Sequence, residues 1–233
     1  METDKLKVTD LKQGVKNPNR VNVFVNSKYV LSLDVAQVVD YGVKIGLELS
    51  SKKLEELKRA SEFGKLYQRA LEKALTRPHS EREMCEYLMR KLKKSSSETL
   101  LRARRYGAQS LSSLPVGREN SSEDLLQFSH DIIARLTSKG YVDDRRFAEF
   151  WVENRFVKKG VSRKRLRMEL MKKGVARDVI DEVLNERDDE EEIRKMIVKK
   201  RAKYDDEKLI AYLVRQGFSY QLAQSQVRDF GTD

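Results

Sequence analysis

The chain is short of the residues on which small catalytic and secreted domains depend. Its 233 residues include one cysteine, two histidines, one tryptophan and three prolines. A lone Cys85 excludes an internal disulfide and fits a reducing compartment, so a cytoplasmic location is expected. His79 and His130 with that cysteine cannot complete a tetrahedral Cys/His zinc cluster without carboxylates. His79, next to Pro78 in a turn, reads as a surface residue. No glycine-rich phosphate loop occurs. Ser129-His130-Asp131 are neighbours on a helix, so their side chains diverge and cannot form a triad. No catalytic constellation, metal or cofactor is expected. No apolar run reaches the length needed to span a membrane, and the N-terminal residues carry no apolar signal segment. Few prolines and abundant Lys, Glu and Leu predict a mainly helical chain.

What the chain has is charge. Lys and Arg number 48 against 37 Asp and Glu, a net +11. Such a balance favours a polyanion or an acidic protein surface as partner. The excess is absent from residues 188–233, where nine basic groups meet ten acidic ones. It is densest over 155–177, where ten cations face one acid, Glu169. Like charges one helical turn apart repel, and a solvated face ordinarily mixes signs, so a binding patch is the preferred reading. At 100° per residue Leu166 and Leu170 point inward, while Lys164, Arg165, Arg167 and Lys172 point away. With Lys158 and Lys159 they form the candidate contact set. Arg163 and Lys173 lie near the core edge and read as structural. Arg155 is expected to pair with Glu169, and Trp151 to pack in the core beside Phe147 and Phe150 rather than stack on a base. The acidic run Asp188–Glu192 suits a helix N-terminus better than mimicry of nucleic acid.

Organisation follows from repetition. Leu166-Arg-Met-Glu-Leu170-Met-Lys-Lys-Gly174-Val175 recurs 43 residues later as Leu209-Ile-Ala-Tyr-Leu213-Val-Arg-Gln-Gly217-Phe218, with a fainter copy at Met84–Leu92. Units this small cannot bury a core alone and must stack, which predicts tandem three-helix repeats forming an elongated curved rod. The expected division is an N-terminal module over 1–60, repeat one over 61–140, repeat two over 141–187 and repeat three over 188–233. Repeat one carries an inserted Ser-rich loop over 93–122, with a short helix placed near Glu98–Arg105. Asp143, Ser162, Asp205 and Ser219 are predicted N-caps, each flanked by apolar residues placed to form a hydrophobic staple. Ser80 and Glu83 are spaced as a capping box. Gly174 and Gly217 should end their helices with positive φ. Met171 and its counterparts Met89 and Val214 are apolar in all three copies and are expected to pack on a neighbouring helix.

In the N-terminal module, Val21, Val23 and Val25, then Tyr29, Leu31 and Leu33, alternate around a turn at Asn26-Ser27-Lys28 and predict a hairpin. A further strand is placed near Leu6–Leu11. A short helix follows Asp34, with Val35, Val38 and Val39 inward and Gly42 as its stop. Ser51 is expected to cap a second short helix through Leu57, and a separate helix with an apolar stripe from Phe63 to Leu75 follows.

Gly140-Tyr-Val-Asp-Asp144-Arg-Arg-Phe147-Ala148, then Arg155, Gly160, Leu166, Glu169-Leu170 and Lys173-Gly174-Val175, resembles the signature of the RecX family. The hairpin module resembles the extension of that family's longer members, and the last unit its third repeat. Two departures stand out: Leu92 occupies the glycine position of the other units, and the 93–122 insertion lies outside the family pattern. The resemblance implies a non-enzymatic, monomeric regulator that binds the RecA–DNA filament and inhibits strand exchange and ATP hydrolysis. The partners it implies are RecA and DNA, with no membrane. An independent nucleic-acid-binding helical module and a protein-only scaffold are the alternatives.

Overall fold

A computed structural model describes residues 6–15, 17–105 and 122–230, with the side chains of 94–105, 122–124 and 155–159 left out. Four strands and ten helices occur among these residues, the chain being mainly helical: β1 (Leu6–Gln13), β2 (Arg20–Val25), β3 (Lys28–Asp34), α1 (Val35–Asp40), β4 (Glu48–Leu49), α2 (Ser51–Ala74), α3 (Glu81–Arg105), α4 (Ser122–Ser138), α5 (Asp144–Lys159), α6 (Arg163–Lys172), α7 (Arg177–Leu184), α8 (Asp189–Lys200), α9 (Asp206–Arg215) and α10 (Tyr220–Asp229). They divide into two compact units, residues 1–73 with 87–135 and residues 74–86 with 136–233.

The first unit is built on an antiparallel sheet of order β3-β2-β1-β4. Asn26 and Ser27 both take positive φ, the two-residue turn whose twist suits a hairpin. Val23, Val25, Leu31 and Leu33 fill the sheet's inner face with Val8, Val43, Leu49, Leu57 and Ala60. Polar groups fasten α2 to α1 and to this sheet: Gln37 Nε2 on α1 donates to Ala60 O at 2.7 Å, and Ser61 Oγ donates to Ser32 O on β3 at 2.7 Å. Phe63 meets Phe128 edge-on at 5.7 Å, tying α2 to α4.

Several expectations for this region need correction. The two helices expected on either side of residue 60 are one 24-residue helix, α2. Ala60, Ser61 and Gly64 are small residues on the side of the helix that lies against β2, β3 and α1. The cap of α2 is Ser50, whose Oγ accepts from Lys53 N at 3.1 Å, and not Ser51. On α1, Val35 and Val39 face solvent and only Val38 packs inward, because the Asp34–Gln37 capping box turns Gln37 toward α2. Leu75 lies beyond the end of α2 and is exposed. The stretch near Glu98–Arg105 is helical as expected, but as the end of α3, which runs unbroken through the loop expected from residue 93. Leu92 explains this, since the glycine that ends the corresponding helices is missing there. The remainder of the predicted loop, 106–121, lies outside the described residues.

In the second unit two apolar clusters alternate with two polar joints. Phe147, Ala148, Leu166, Leu170, Ile180 and Leu184 centre the α5–α7 cluster. Ile193, Ile197, Leu209, Leu213, Ala223 and Val227 centre that of α8–α10. Leu170 and Leu213 are fully buried, as is Leu88 on the part of α3 that belongs to the first unit. The four predicted caps all form: Asp143 accepts from Arg145 N and Arg146 N, Ser162 from Arg165 N, Asp205 from Lys208 N and Ser219 from Leu222 N.

The joints follow one rule. The Asp144 carboxylate accepts from the first amide of α3, Glu81 N, at 2.8 Å. The Asp189 carboxylate accepts from the first amide of α6, Arg163 N, also at 2.8 Å. In each Asp-Asp pair the first residue caps its own helix and the second caps a helix of the preceding group. The end of the later helix then settles on the same N-terminus. Ser80 Oγ donates to Lys173 O at 2.8 Å, and Ser162 N donates to Gln216 O at 3.2 Å. The recurrence of Asp-Asp at 143–144 and 188–189 was the signal for this device, and it passes unnoticed when each aspartate is judged only as a local cap.

Candidate partner-docking face

The α6 helix begins with Ser162 as cap and ends at Lys173, and between them it buries only Leu166 and Leu170. A narrow buried stripe leaves most of its circumference for other uses. Lys164, Arg167, Met168, Met171 and Lys172 are exposed, and Arg165 is half-buried.

The expected cations do not behave alike. Arg165 Nε lies 3.4 Å from Glu169 Oε1, and its guanidinium also donates to Arg215 O at 2.7 Å. Arg167 is ion-paired with Asp181 on α7. Lys173 Nζ donates to Glu83 at 2.8 Å and lies over the Trp151 ring at 5.1 Å, the structural role expected of it. Lys164 and Lys172 are exposed and have no ion pair among the described residues. The side chains of Arg155, Lys158 and Lys159 lie outside the described residues, and with them the expected Arg155–Glu169 pair. Glu169 accepts from Trp151 Nε1 at 3.1 Å, and Trp151 packs against the α5–α7 cluster. Ten cations in one stretch thus overstate the available charge, because Asp181 and Glu83 arrive from elsewhere in the fold.

Two further corrections shape this face. Met171 and Val214, expected to pack on neighbouring helices, are 41% and 40% exposed. Met168 is 52% exposed. A groove of about 460 Å³ runs along α6 and the end of α9, with Lys164, Met168, Glu169, Lys172, Val214 and Phe218 along it. Lys164, Met168 and Lys172 are spaced four apart and therefore share one stripe of the helix.

Near the start of α3, His79 is buried and not a surface residue. Its Nδ1 lies 3.0 Å from Glu83 Oε2, which also meets Arg77 at 3.0 Å. Ser80 Oγ accepts from Glu83 N at 3.1 Å, but the Glu83 carboxylate turns to His79, Arg77 and Lys173 rather than completing the capping box. Burial pushes the Glu83 carboxyl up, and hydrogen bonds from Lys173 and His79 with the Arg77 charge outweigh it, holding the carboxyl below its ordinary value. Asp144 lies on the other side of its ordinary value, raised chiefly by burial. On α8, Asp188 is the cap, and Asp189–Glu192 occupy the first turn, where the helix dipole favours acids.

No helix among the described residues is long and apolar enough to cross a membrane. Three-helix groups joined by caps, following a small N-terminal sheet, define a mainly helical protein of the tandem-helix class. Two family models match: "RecX, second three-helix domain" over residues 143–184, and "Regulatory protein RecX N-terminal domain" over residues 6–50. The regulatory protein RecX of Listeria monocytogenes serotype 4b is 24% identical over 230 residues, covering 94% of this chain and 74% of the relative. That of Clostridium tetani is 26% identical over 200 residues, covering 84% and 77%. That of Amycolatopsis mediterranei is 31% identical over 119 residues, covering 45% of this chain and 68% of the relative. A crystal structure of a regulatory protein RecX superposes with a TM-score of 0.66 at 19% identity, covering 96% of this chain and 99% of that one. RecX from Lactobacillus salivarius gives a TM-score of 0.52 at 18% identity, covering 75% and 99%. The chain belongs to the RecX family, which is named for regulatory proteins and not for an enzyme.

Proposed function

We propose that this chain binds the RecA–DNA filament as a monomer and inhibits strand exchange and ATP hydrolysis, with the exposed face of α6 as a docking surface. Family membership supports RecA as the partner. Lys164 and Lys172 carry the choice of surface, being exposed on one stripe and free of ion pairs among the described residues. A lysine already held by a carboxylate gains little from a new acidic partner, whereas these two give up only hydration. Bridging successive recombinase subunits would restrict the movements that strand exchange and nucleotide turnover require.

The test compares binding of the purified protein to recombinase alone, to single-stranded DNA alone and to the assembled filament. The proposal expects the filament to bind most tightly. Equal affinity for bare DNA and filament would favour an independent nucleic-acid-binding module instead.

A further inference from the structure

The groove beside α6 carries information about its occupant. Lys164 and Lys172 are eight residues apart, so their Cα atoms stand about 12 Å apart along the helix. Between them sits Met168, half exposed, and across the groove stand Val214 and the edge of Phe218. A phosphate backbone presents one negative charge after another and no apolar surface to cover a thioether. Guanidiniums, the side chains best shaped for phosphate, are here engaged: Arg165 with Glu169 and the Arg215 carbonyl, Arg167 with Asp181. Glu169 also lines the groove, but its oxygens are held by Arg165 and by Trp151 Nε1, so it does not discriminate between anionic ligands.

A different ligand matches the spacing of the two lysines and the apolar floor between them. We infer that the groove between α6 and the end of α9 receives an acidic amphipathic helix of a protein partner, not nucleic acid. Two carboxylates eight residues apart on that helix meet Lys164 and Lys172, and an apolar side chain midway between them enters against Met168, Val214 and Phe218. Helix-in-groove recognition has this form, an apolar anchor with flanking charges that set register. Methionine suits the floor, since its unbranched thioether adapts to the anchor. This inference rests on reading the α6 face as the docking surface for the filament, and it assigns that contact to recombinase protein rather than to its DNA.

The test uses the full-length protein and two fluorescent probes. One is a 16-residue helical peptide with two glutamates eight residues apart and a leucine midway, on an Ala/Gln background. The other is an oligodeoxythymidine. Anisotropy should report saturable peptide binding, weakened about tenfold by Met168→Ser through loss of one apolar contact. Lys164→Ala with Lys172→Ala should weaken it similarly, while Met168→Ser leaves oligonucleotide binding unchanged. Absence of saturable peptide binding, or peptide affinity indifferent to Met168→Ser, overturns the inference. So does a Met168→Ser variant that loses oligonucleotide and peptide binding together, which would assign the groove to nucleic acid. Strand-exchange inhibition by the unaltered protein is measured in parallel. If it is absent, the filament reading fails whatever the peptide does; if it is present and Met168→Ser inhibits equally well, only the groove assignment fails.

Discussion

Gly174 and Gly217 each answer two demands at one position. Their φ values are +86° and +96°, and the amides after them close the helix ends: Val175 N donates to Leu170 O at 3.2 Å and Phe218 N to Leu213 O at 3.4 Å. A Cβ on Gly174 would stand 2.7 Å from Arg82 Cβ, and one on Gly217 would stand 2.9 Å from Arg165 Cβ. Strain and collision therefore add. Gly174→Ala and Gly217→Ala should each destabilise the fold by about 1–3 kcal/mol, read from chemical denaturation. Variants as stable as the parent would refute this account of the helix ends. Glu83 makes the second residue-scale prediction. Its carboxyl is depressed only in the folded state, so its contribution is present above the ordinary carboxyl value and disappears as pH falls through the folded one. Glu83→Gln should cost about 1–3 kcal/mol at neutral pH, and the gap to the parent should narrow as pH falls below the ordinary carboxyl value and through the depressed folded one. A gap that stays constant through the whole acid limb, until the parent itself unfolds, would show that charge is not what Glu83 supplies. The sequence indicated positive φ at both glycines, because Gly after an amphipathic helix and before an apolar residue is a local signal. It missed the burial of His79 and the pairing of Glu83 with Lys173, which lies 90 residues away; the pairs with Arg77 and His79 are local and were hidden by reading Glu83 only as half of a capping box.

At the scale of elements, helix ends carry the joints. Asp144 and Asp189 each satisfy an amide on a helix other than their own, and each does so at 2.8 Å. Asp144→Ala and Asp189→Ala should each lower the urea midpoint by the equivalent of about 1 kcal/mol with an unchanged slope. Glu191→Ala, in the same acidic turn as Asp189, loses only a dipole interaction and an exposed pair with Lys195, and should cost less than half as much. Equal losses at Asp189 and Glu191 would mean that the inter-helix cap contributes nothing of its own. Element boundaries were legible where a cap or a stop is encoded in adjacent residues, as at Asp143, Ser162, Asp205 and Ser219. They were illegible where tertiary contact decides. Nothing local distinguishes Ala60, Ser61 and Gly64 in a helix pressed on a sheet from the same residues in a break, and the two-residue β4 exists only through its pairing with β1. The long α3 was encoded after all, in the missing glycine at Leu92.

For the molecule as a whole, the basic balance was plain in the sequence, but its usable part was not. Charge counted along a helix takes no account of the partners a side chain finds in the fold, so Arg165, held by Glu169 and the Arg215 carbonyl, and Arg167, held by Asp181, looked as available as Lys164 and Lys172. Folding leaves the last two on the open stripe and exposes Met168, Met171 and Val214 nearby. The central claim is that this face docks the protein on the recombinase filament. It is tested most directly by the concentration of protein needed to half-inhibit RecA strand exchange, compared between the parent and a Lys164→Ala, Lys172→Ala double variant. Both side chains leave the core, so the thermal unfolding transition should be unchanged. Loss of two exposed charged contacts should raise the half-inhibiting concentration about five- to tenfold. A double variant that folds normally and inhibits at the parent's concentration would contradict the claim.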